Sequence, residues 1–299
     1  MNLQSAVRLS ALVLCLLPAL GRARVVLVVS SQDPFYLEVA SSFKQNFAGA
    51  FEEYNLRGQE DEARKLGKDL TGNPPKLLMV VGNLAAKTAQ EYCPNSTIVH
   101  AAASNASGLK FNERKVLGVS DSPSVSRLVE SINLVFPGST RVGLVYNPQF
   151  VSREVAELEK LAGKHGLTVK AVPVTEIRQI PASLSQLLPE IDLYLMFNDP
   201  GVINADTFPF IFLACFQKKI PVFATNHSIV KKGAIAGLSA DSGSVGRELA
   251  RLAGLAAMQK FPPERVVYAE GRLYLNPQIA SAANITLPPL LKDKAVLIP

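Results

Sequence analysis

Short apolar runs recur along this chain, and each ends in a polar turn that leads into a segment with helical spacing. Three clear examples are RVVLVVSS (24–31), KLLMVVGN (76–83) and RVGLVYNP (141–148). The runs are nearly continuous in apolar residues and do not alternate, which is typical of parallel strands that are buried on both faces. Parallel neighbours need a crossover, usually a helix, so the pattern predicts an α/β fold.

The pattern of strands and helices runs through the chain twice. The first half has strands between residues 24 and 121, including a weaker one near Tyr54, and the second half repeats the scheme from Arg141 to Asp241. A chain of 299 residues is long for one hydrophobic core and sufficient for two. The composition, 48% hydrophobic and 19% charged, is that of a globular protein. We therefore predict two doubly wound parallel-sheet lobes.

The first 23 residues have the features of a secretory signal peptide. Arg8 supplies a positive charge, Leu9 to Leu20 form an apolar run, and Gly21 to Ala23 offer a cleavage site between small residues. The run is too short to span a membrane. We expect the mature protein to be soluble and periplasmic or otherwise extracytoplasmic. The alternative is a segment that stays attached as an anchor.

Charge and motifs exclude several classes of function. The formal net charge is +6, but the basic residues are scattered and form no stripe with aromatic residues between them, so nucleic acid is not an expected partner. No phosphate-binding glycine loop, zinc-protease helix or nucleophile elbow is present, so no enzyme is expected. His100 and His227 fall near strand ends without a cysteine or carboxylate at ligand spacing. We expect no metal and no other cofactor.

Two cysteines, Cys93 and Cys215, lie beyond the signal segment. An exported protein could join them in a disulfide. The interpretation that we prefer is two free, buried thiols, because Cys215 lies in FPFIFLACFQKK (208–219), an apolar helix that is expected to be mostly buried.

Polar residues follow most of the predicted strands. Ligands of open parallel sheets bind beyond the carboxyl ends of the strands, where helix N-termini present free N–H groups. The candidate ligand-binding residues at these ends are Ser31, Asp33, Gly82, Asn83, Ser104, Asp121, Tyr146, Asn147, Asn198, Asp199, Thr225, Asn226 and Asp241. The alternative for each Asn, Asp or Ser is a helix N-cap without contact to a ligand. Tyr146 could equally form a wall of the cleft or fill the core.

The second half of the chain resembles a known family. The motifs that carry the resemblance, in order, are VGLVYNP, IDLYLMFNDPGVI, KKIPVFATNHSIVKKGAIAGLSAD, VGRELARLAGLAAM and LYLNPQIASAANITLPPLL. They are similar to the substrate-binding proteins of ABC importers of the TrpX/ABC_sub_bind type, which have the type I periplasmic-binding-protein fold. The likeness is good from about residue 141 onward and weaker from 76 to 121.

The resemblance implies two lobes that are joined by three crossovers and close on a ligand in the cleft between them. Lobe 1 would comprise 24–121 plus 242–268, and lobe 2 would comprise 122–241 plus 269–299. The resemblance matches Tyr146 and Asn147 to the family's first loop of the second lobe and Asn198 and Asp199 to its polar pair at a strand end. It matches Thr225 and Asn226 to the loop after IPVF, and Asp241 to an acidic residue at the second crossover.

The leading hypothesis is an exported, monomeric solute-binding protein. It would capture a small carboxylate- or amino-acid-like molecule by hinge closure and deliver it to an ABC permease and its ATPase. A second hypothesis is a periplasmic ligand sensor for a membrane signalling protein, and a third is an exported α/β hydrolase or transferase. For the site, we expect Asp199→Ala to weaken ligand binding without unfolding the protein, since a turn side chain beyond a strand carries little packing.

Overall fold

A computed structural model of the protein describes residues 24–103, 115–291 and 293–298. The strands in these ranges are β1 (Val25–Val29), β2 (Glu52–Asn55), β3 (Leu77–Val81), β4 (Thr97–Ala101), β5 (Val116–Ser120), β6 (Arg141–Tyr146), β7 (Thr168–Pro173), β8 (Leu193–Met196), β9 (Val222–Ala224), β10 (Ala236–Ala240), β11 (Val266–Tyr268), β12 (Gly271–Leu275) and β13 (Val296–Leu297). The helices are α1 (Pro34–Asn46), α2 (Glu60–Gly72), α3 (Asn83–Tyr92), α4 (Val125–Val135), α5 (Pro148–Ala162), α6 (Ile180–Leu187), α7 (Thr207–Gln217), α8 (His227–Lys231), α9 (Ser242–Ala257) and α10 (Pro277–Ala282). The predicted signal segment and Ser104 lie outside the described residues.

The strands form two separate sheets. The first has the order β2-β1-β3-β4-β5-β11 and is parallel throughout, and the second has the order β7-β6-β8-β9-β10-β12-β13. The first five strands of each sheet therefore follow the same winding, which confirms the predicted α/β fold with two doubly wound lobes. The weak strand near Tyr54 is β2. The antiparallel pairing of β12 with β10 was not predicted.

Each central strand is apolar along its whole length because both of its faces are covered. In β1, Leu27 and Val29 face the core beside α1 and α9, whereas Val26 and Val28 face the core beside α2 and α3. The strand β8 is divided in the same way between a core beside α4 and α5 and a core beside α6, α7 and α8. Burial on both faces explains why the sequence shows continuous runs.

Helices α1 and α9 pack closely against each other in the first lobe. A Cβ atom at Gly246 would lie 2.5 Å from the Val39 carbonyl oxygen and 2.6 Å from the Ser42 Cβ, so only glycine permits this approach. The Ser42 hydroxyl also donates a hydrogen bond of 2.7 Å to the Gly243 carbonyl. The helix that follows β10 is thereby fixed to the opposite lobe.

The chain passes between the two sheets three times, at β5 to α4, β10 to α9, and β11 to β12. The lobe limits given above remain a prediction, and the strand membership of the sheets is compatible with them. Three short connections between two lobes with separate cores are the arrangement that permits a hinge motion.

The amino ends of the two leading strands carry equivalent ion pairs. Arg24, just before β1, lies 2.9 Å from Glu52 and 2.8 Å from Asp69. Arg141, at the start of β6, lies 2.6 Å from Asp192. The pKa of the Asp192 carboxyl is lowered to about 2, mainly by its hydrogen bonds with the Arg141 side chain. These pairs stabilise the edges of the sheets that face away from the predicted cleft.

The expectation that the helix containing Cys215 is mostly buried is wrong. Cys215 itself is fully buried, but Phe210, Leu213 and Phe216 on the other face of α7 are 44%, 54% and 41% exposed. Cys93 lies in a core of the first lobe, Cys215 lies in a core of the second, and both are free thiols.

Candidate functional site

The strand order of each sheet reverses at one point, between β1 and β3 in the first lobe and between β6 and β8 in the second. Successive helices leave on opposite faces there, so a crevice opens beyond the carboxyl ends of those strands. Ser30 and Gly82 lie at this position in the first lobe, and Asn147 and Asp199 lie at it in the second. These two points define the candidate ligand cleft.

In the first lobe, the crevice is lined by a close-packed group of three residues. The buried Ser30 hydroxyl accepts a 2.9 Å hydrogen bond from the Ala85 amide and so fixes the start of α3. Gly82 has a φ of 89°, in the left-handed region that favours glycine. A Cβ atom at Gly82 would lie 2.6 Å from the Ser30 hydroxyl and 2.8 Å from the ring of Tyr36. The missing side chain therefore makes room for Tyr36 at the strand ends.

We expect Gly82→Ala to lower the free energy of unfolding by about 2 kcal/mol, because the new Cβ adds backbone strain and overlaps two side chains. Chemical denaturation measures the loss. Gly254→Ala is the matched control, since a Cβ at this position in α9 meets nothing within 4 Å. An equal effect of both substitutions on stability would contradict the packing described here.

The phenol of Tyr36 lies among acidic groups. Its pKa is raised, first by burial and then by the carboxylates of Asp121 and Asp33. Both of these acids were predicted as site residues, and the structure places them near the same ring. The first-lobe wall therefore combines an aromatic ring with negative charge, a pairing suited to a ligand with an apolar body and an amine.

In the second lobe, Asp199 joins two neighbouring loops. The residue is only 2% exposed. One carboxylate oxygen accepts a 2.7 Å hydrogen bond from the backbone N–H of Asn147, and the other accepts a 2.8 Å hydrogen bond from the backbone N–H of Gly201. Burial raises the pKa of this carboxyl, and the hydrogen bonds from the backbone oppose the shift. The expectation that this side chain carries little packing is therefore wrong, since both oxygens are used to fix the loops after β6 and β8.

The loop after β8 has a second attachment through Thr225. This buried residue follows β9, and its hydroxyl accepts a 2.9 Å hydrogen bond from the backbone N–H of Asn198. The Asn198 side chain itself is exposed at the end of β8. Among the predicted second-lobe residues, Asn198 thus has the side chain that is most accessible to a ligand.

Several predicted site residues act as helix N-caps, which was the alternative considered for them. Side-chain oxygens of Asp33, Asn147, Asn226 and Asp241 accept backbone hydrogen bonds at the starts of α1, α5, α8 and α9. Asp241 also forms a 2.7 Å ion pair with Arg272. Capping uses one oxygen of each Asp and the only side-chain oxygen of each Asn, which leaves the second Asp33 oxygen and the amide NH2 groups of the two asparagines. A contact of any of these groups with a ligand stays a prediction.

The start of α8 carries an imidazole that first-lobe carboxylates influence. His227 stacks near Tyr274 of β12, with 5.3 Å between ring centroids. Burial lowers the pKa of His227, as does Lys231, while the first-lobe carboxylates of Asp33 and Glu38 act in the opposite direction. The carboxylates of Asp33, the N-cap of α1, and Glu38 in its first turns therefore lie close enough to His227 to act on its charge, and Glu38 also acts on Tyr274.

Three predicted residues have other surroundings. The Ser31 hydroxyl accepts a 3.2 Å hydrogen bond from the Asp33 amide. Asn83 is the first residue of α3 and is half-buried. Tyr146 is half-buried and packs against the core beside α4 and α5. This position agrees with the core-filling alternative given for Tyr146 above.

Four residues of this region were missed: Tyr36, Glu38, His227 and Tyr274. Tyr36 and Glu38 lie three and five residues beyond Asp33, and these spacings place them on the first turns of α1. Tyr274 lies in the motif LYLNP, which carried the family resemblance. His227 directly follows the candidate residue Asn226 at a strand end, and it was also considered as a metal ligand.

Within residues 24–103, 115–291 and 293–298, no group of three or more His, Cys, Asp and Glu side chains is placed to bind a metal ion. None of the helices that the structure describes is both long enough and apolar enough to cross a membrane.

The sequence pattern of the ABC transporter substrate binding protein family matches residues 46–296. This match covers most of the chain, and the chain belongs to that family. Its members are solute-binding proteins rather than enzymes, which confirms the resemblance found in the second half of the sequence. Substrate-binding proteins of ABC transporters are generally extracytoplasmic.

Individual relatives agree with this assignment. The chain is 20% identical over 244 residues to a tyrosine-binding protein of Clostridioides difficile (strain R20291), a match that covers 79% of this chain and 68% of that protein. The open, ligand-free structure of a substrate binding protein with adhesive properties from Clostridium difficile has a TM-score of 0.69 at 18% identity, over 92% and 99% of the two chains. An ABC domain from Streptococcus pneumonia in complex with L-Trp has a TM-score of 0.63 at 19% identity, over 93% and 99%. The structural likenesses show a shared fold.

Proposed function

We propose that this protein captures a small amino-acid-like ligand between its lobes, outside the cytoplasm, and delivers it to an ABC permease and its ATPase. The observation that carries the proposal is the charge arrangement between the lobes: Asp33 and Glu38 of the first lobe act electrostatically on His227 of the second, and Glu38 also acts on Tyr274. Membership of an ABC transporter family favours a permease over a membrane sensor as the partner. The protein would act as a monomer.

The chemistry of the cleft suits an aromatic amino acid. Asp33 and Glu38 supply negative charge for the ammonium group, and hydrogen bonds to charged groups are the stronger ones. Tyr36 and Tyr274 supply ring faces and edges for an apolar side chain. Relatives named for binding tyrosine and for a complex with L-Trp support the same ligand class.

Hinge closure would complete the site. The three connections between the sheets allow the lobes to approach without disturbing either pair of cores. A ligand that contacts both lobes stabilises the closed form by the difference in its affinity for the two forms. The closed form is then the species that the permease recognises.

Isothermal titration with L-tyrosine, L-tryptophan and L-phenylalanine tests the ligand class. We expect one molecule to bind per chain, and we expect the matching compounds without an amine, such as 4-hydroxyphenylpropionate, to bind at least tenfold more weakly because a charge-assisted hydrogen bond is lost.

The matched variant is Asp33→Asn combined with Glu38→Gln. Asparagine retains the cap of α1, so the charge is removed without loss of the helix start. We expect the affinity for amino acids to fall at least tenfold with an unchanged melting temperature. Glu159→Gln combined with Glu264→Gln, both exposed and outside the cleft residues named above, is the control for the same change of two charges. An unchanged affinity in the double variant would exclude this pair as the amine site.

A further inference from the structure

The outward face of α7 is apolar and has no partner among the described residues. Phe210, Leu213 and Phe216 follow each other at intervals of three along the helix and are 44%, 54% and 41% exposed. Pro209 is exposed on the same face. Three large apolar side chains on one contiguous strip of surface differ from the scattered single residues that ordinary surfaces carry, and such a patch marks an interaction site.

Packed aromatic rings lie along the helix that carries this face. We call it the α7 face and define it by Pro209, Phe210, Leu213 and Phe216. Phe208, Phe212 and Phe216 stack along the helix, with ring centroids 6.1 Å and 6.4 Å apart. Gly233 supports the middle ring, since a Cβ there would lie 2.7 Å from Phe212. The exposed side chains therefore project from a packed aromatic layer.

Lysines surround the α7 face. Lys218 and Lys219 follow the end of the helix, and Lys231 and Lys232 at the end of α8 are exposed beside its start. The Lys232 ammonium lies 5.9 Å from the centroid of the Phe208 ring, which joins the two groups into one surface. Between residues 200 and 235, the sequence has one further Asp, Glu, Lys or Arg besides these four lysines, which is Asp206.

We propose that the α7 face binds the surface of an anionic membrane. Phenylalanine and leucine from α7 would enter the boundary between headgroups and acyl chains, and the lysines beyond α7 and at the end of α8 would contact anionic headgroups. These are the two contributions that hold an interfacial helix at a membrane. A second copy of this chain fits the surface poorly. In a two-fold symmetric dimer the same patch of both copies is in contact, so the lysines of one copy would lie close to the lysines of the other. This proposal does not depend on the identity of the ligand in the cleft.

Flotation with lipid vesicles tests the proposal. The chain from Arg24 onward is used, because it contains both sheets and their cores without the apolar segment at residues 9–20. We expect it to float with vesicles that contain equal amounts of phosphatidylglycerol and phosphatidylcholine, and to float at least tenfold less with phosphatidylcholine alone. Binding should also fall in 0.5 M salt, since surface charges are then screened.

Two variants separate the apolar and charged contributions. The substitutions Phe210→Ser, Leu213→Ser and Phe216→Ser together remove the apolar strip, and glutamine at all four lysines removes the charge. We expect each variant to reduce vesicle binding at least tenfold, while the far-UV circular dichroism spectrum, which reports the helices and strands, is unchanged. The matched control replaces Ile177, Met258 and Leu290 by serine, because these residues are 50%, 61% and 51% exposed and lie far apart in the sequence.

Three results would overturn the proposal. The first is equal binding to anionic and neutral vesicles, or none to either. The second is an unchanged affinity for anionic vesicles in the serine variant of the α7 face. The third is a dimer in sedimentation equilibrium that this variant abolishes, which would assign the α7 face to a second copy of the chain.

Discussion

Asp199→Ala should lower the free energy of unfolding by about 3 kcal/mol, because two backbone amides lose a charged acceptor inside the protein. The amides of Asn147 and Gly201 donate to the two oxygens of this carboxylate at 2.7 Å and 2.8 Å. Alanine leaves both donors without an acceptor where water has little access. Part of the loss is offset, since burial disfavours the charged carboxylate and raises its pKa. Urea denaturation at pH 7 measures the difference.

Asn198→Ala is the control for this prediction. The residue is adjacent in sequence, its side chain is exposed, and its backbone bond to Thr225 survives the substitution. We expect a change within about 0.5 kcal/mol. Asp199→Asn retains one acceptor oxygen and should fall between the two. A stable Asp199→Ala protein with weakened ligand binding would contradict the structural role and restore the expectation drawn from the sequence.

The stability test also bears on function. Asn147 is the N-cap of α5, and Asp199 fixes its position relative to the turn after β8. Both loops lie at the point where the second sheet reverses its order, so Asp199 is a positioning residue for the cleft. Any change of ligand affinity in Asp199→Asn should therefore accompany a loss of stability rather than occur alone.

The fold could be predicted from the sequence because a strand that is buried on both faces is apolar at every position. Leu27 and Val28 face opposite cores, and the continuous apolar run of β1 records both. The repeat of that pattern after residue 141 predicted the second sheet. The direction of the short antiparallel strand β12 could not be predicted in this way, because it depends on the pairing with β10 and not on the composition of β12 itself.

The site could be predicted only in part. Parallel topology collects the strand ends at one edge, so residues such as Asp33 and Asp199 could be selected without a structure. Whether a carboxylate faces the cleft or its own backbone depends on hydrogen bonds within the fold. Asp199 points inward for that reason. Glu38 and Tyr274 were missed because they lie on a helix and an antiparallel strand, away from the ends of parallel strands.

The α7 helix shows a different limit. FPFIFLACFQKK is apolar at nearly every position, and such a run predicts burial on all sides. The helix nevertheless covers only one face of one sheet, so half of its circumference remains outside. Hydrophobicity alone cannot reveal how many neighbours a helix has.

The acid side of the stability profile should depend strongly on His100. This residue of β4 is 9% exposed, and burial lowers the pKa of its imidazole to about 4. Its ring fills the space above Gly118 of β5, where a Cβ atom would lie 2.4 Å from the ring. Protonation in the folded state would therefore place a charge in a region packed for a neutral ring.

Because the folded pKa lies below the unfolded value of 6.5, the unfolded chain binds more protons between these two values. Stability is therefore lost as the pH falls through this window, and the contribution of His100 levels off below about pH 4. Between pH 7 and pH 4 we expect the wild-type protein to lose about 3 kcal/mol more than His100→Gln, which cannot ionise.

Urea denaturation at several pH values measures this difference between the two proteins. The exposed His165 is the control, and His165→Gln should retain the wild-type profile. The cleft residue His227 also has a lowered pKa, so His227→Gln should remove a smaller loss of the same sign. Parallel profiles for the wild-type protein and His100→Gln would mean that the imidazole reaches solvent before it is protonated. In that case β4 and β5 would separate locally without global unfolding, and the first lobe would be less rigid than its packing indicates.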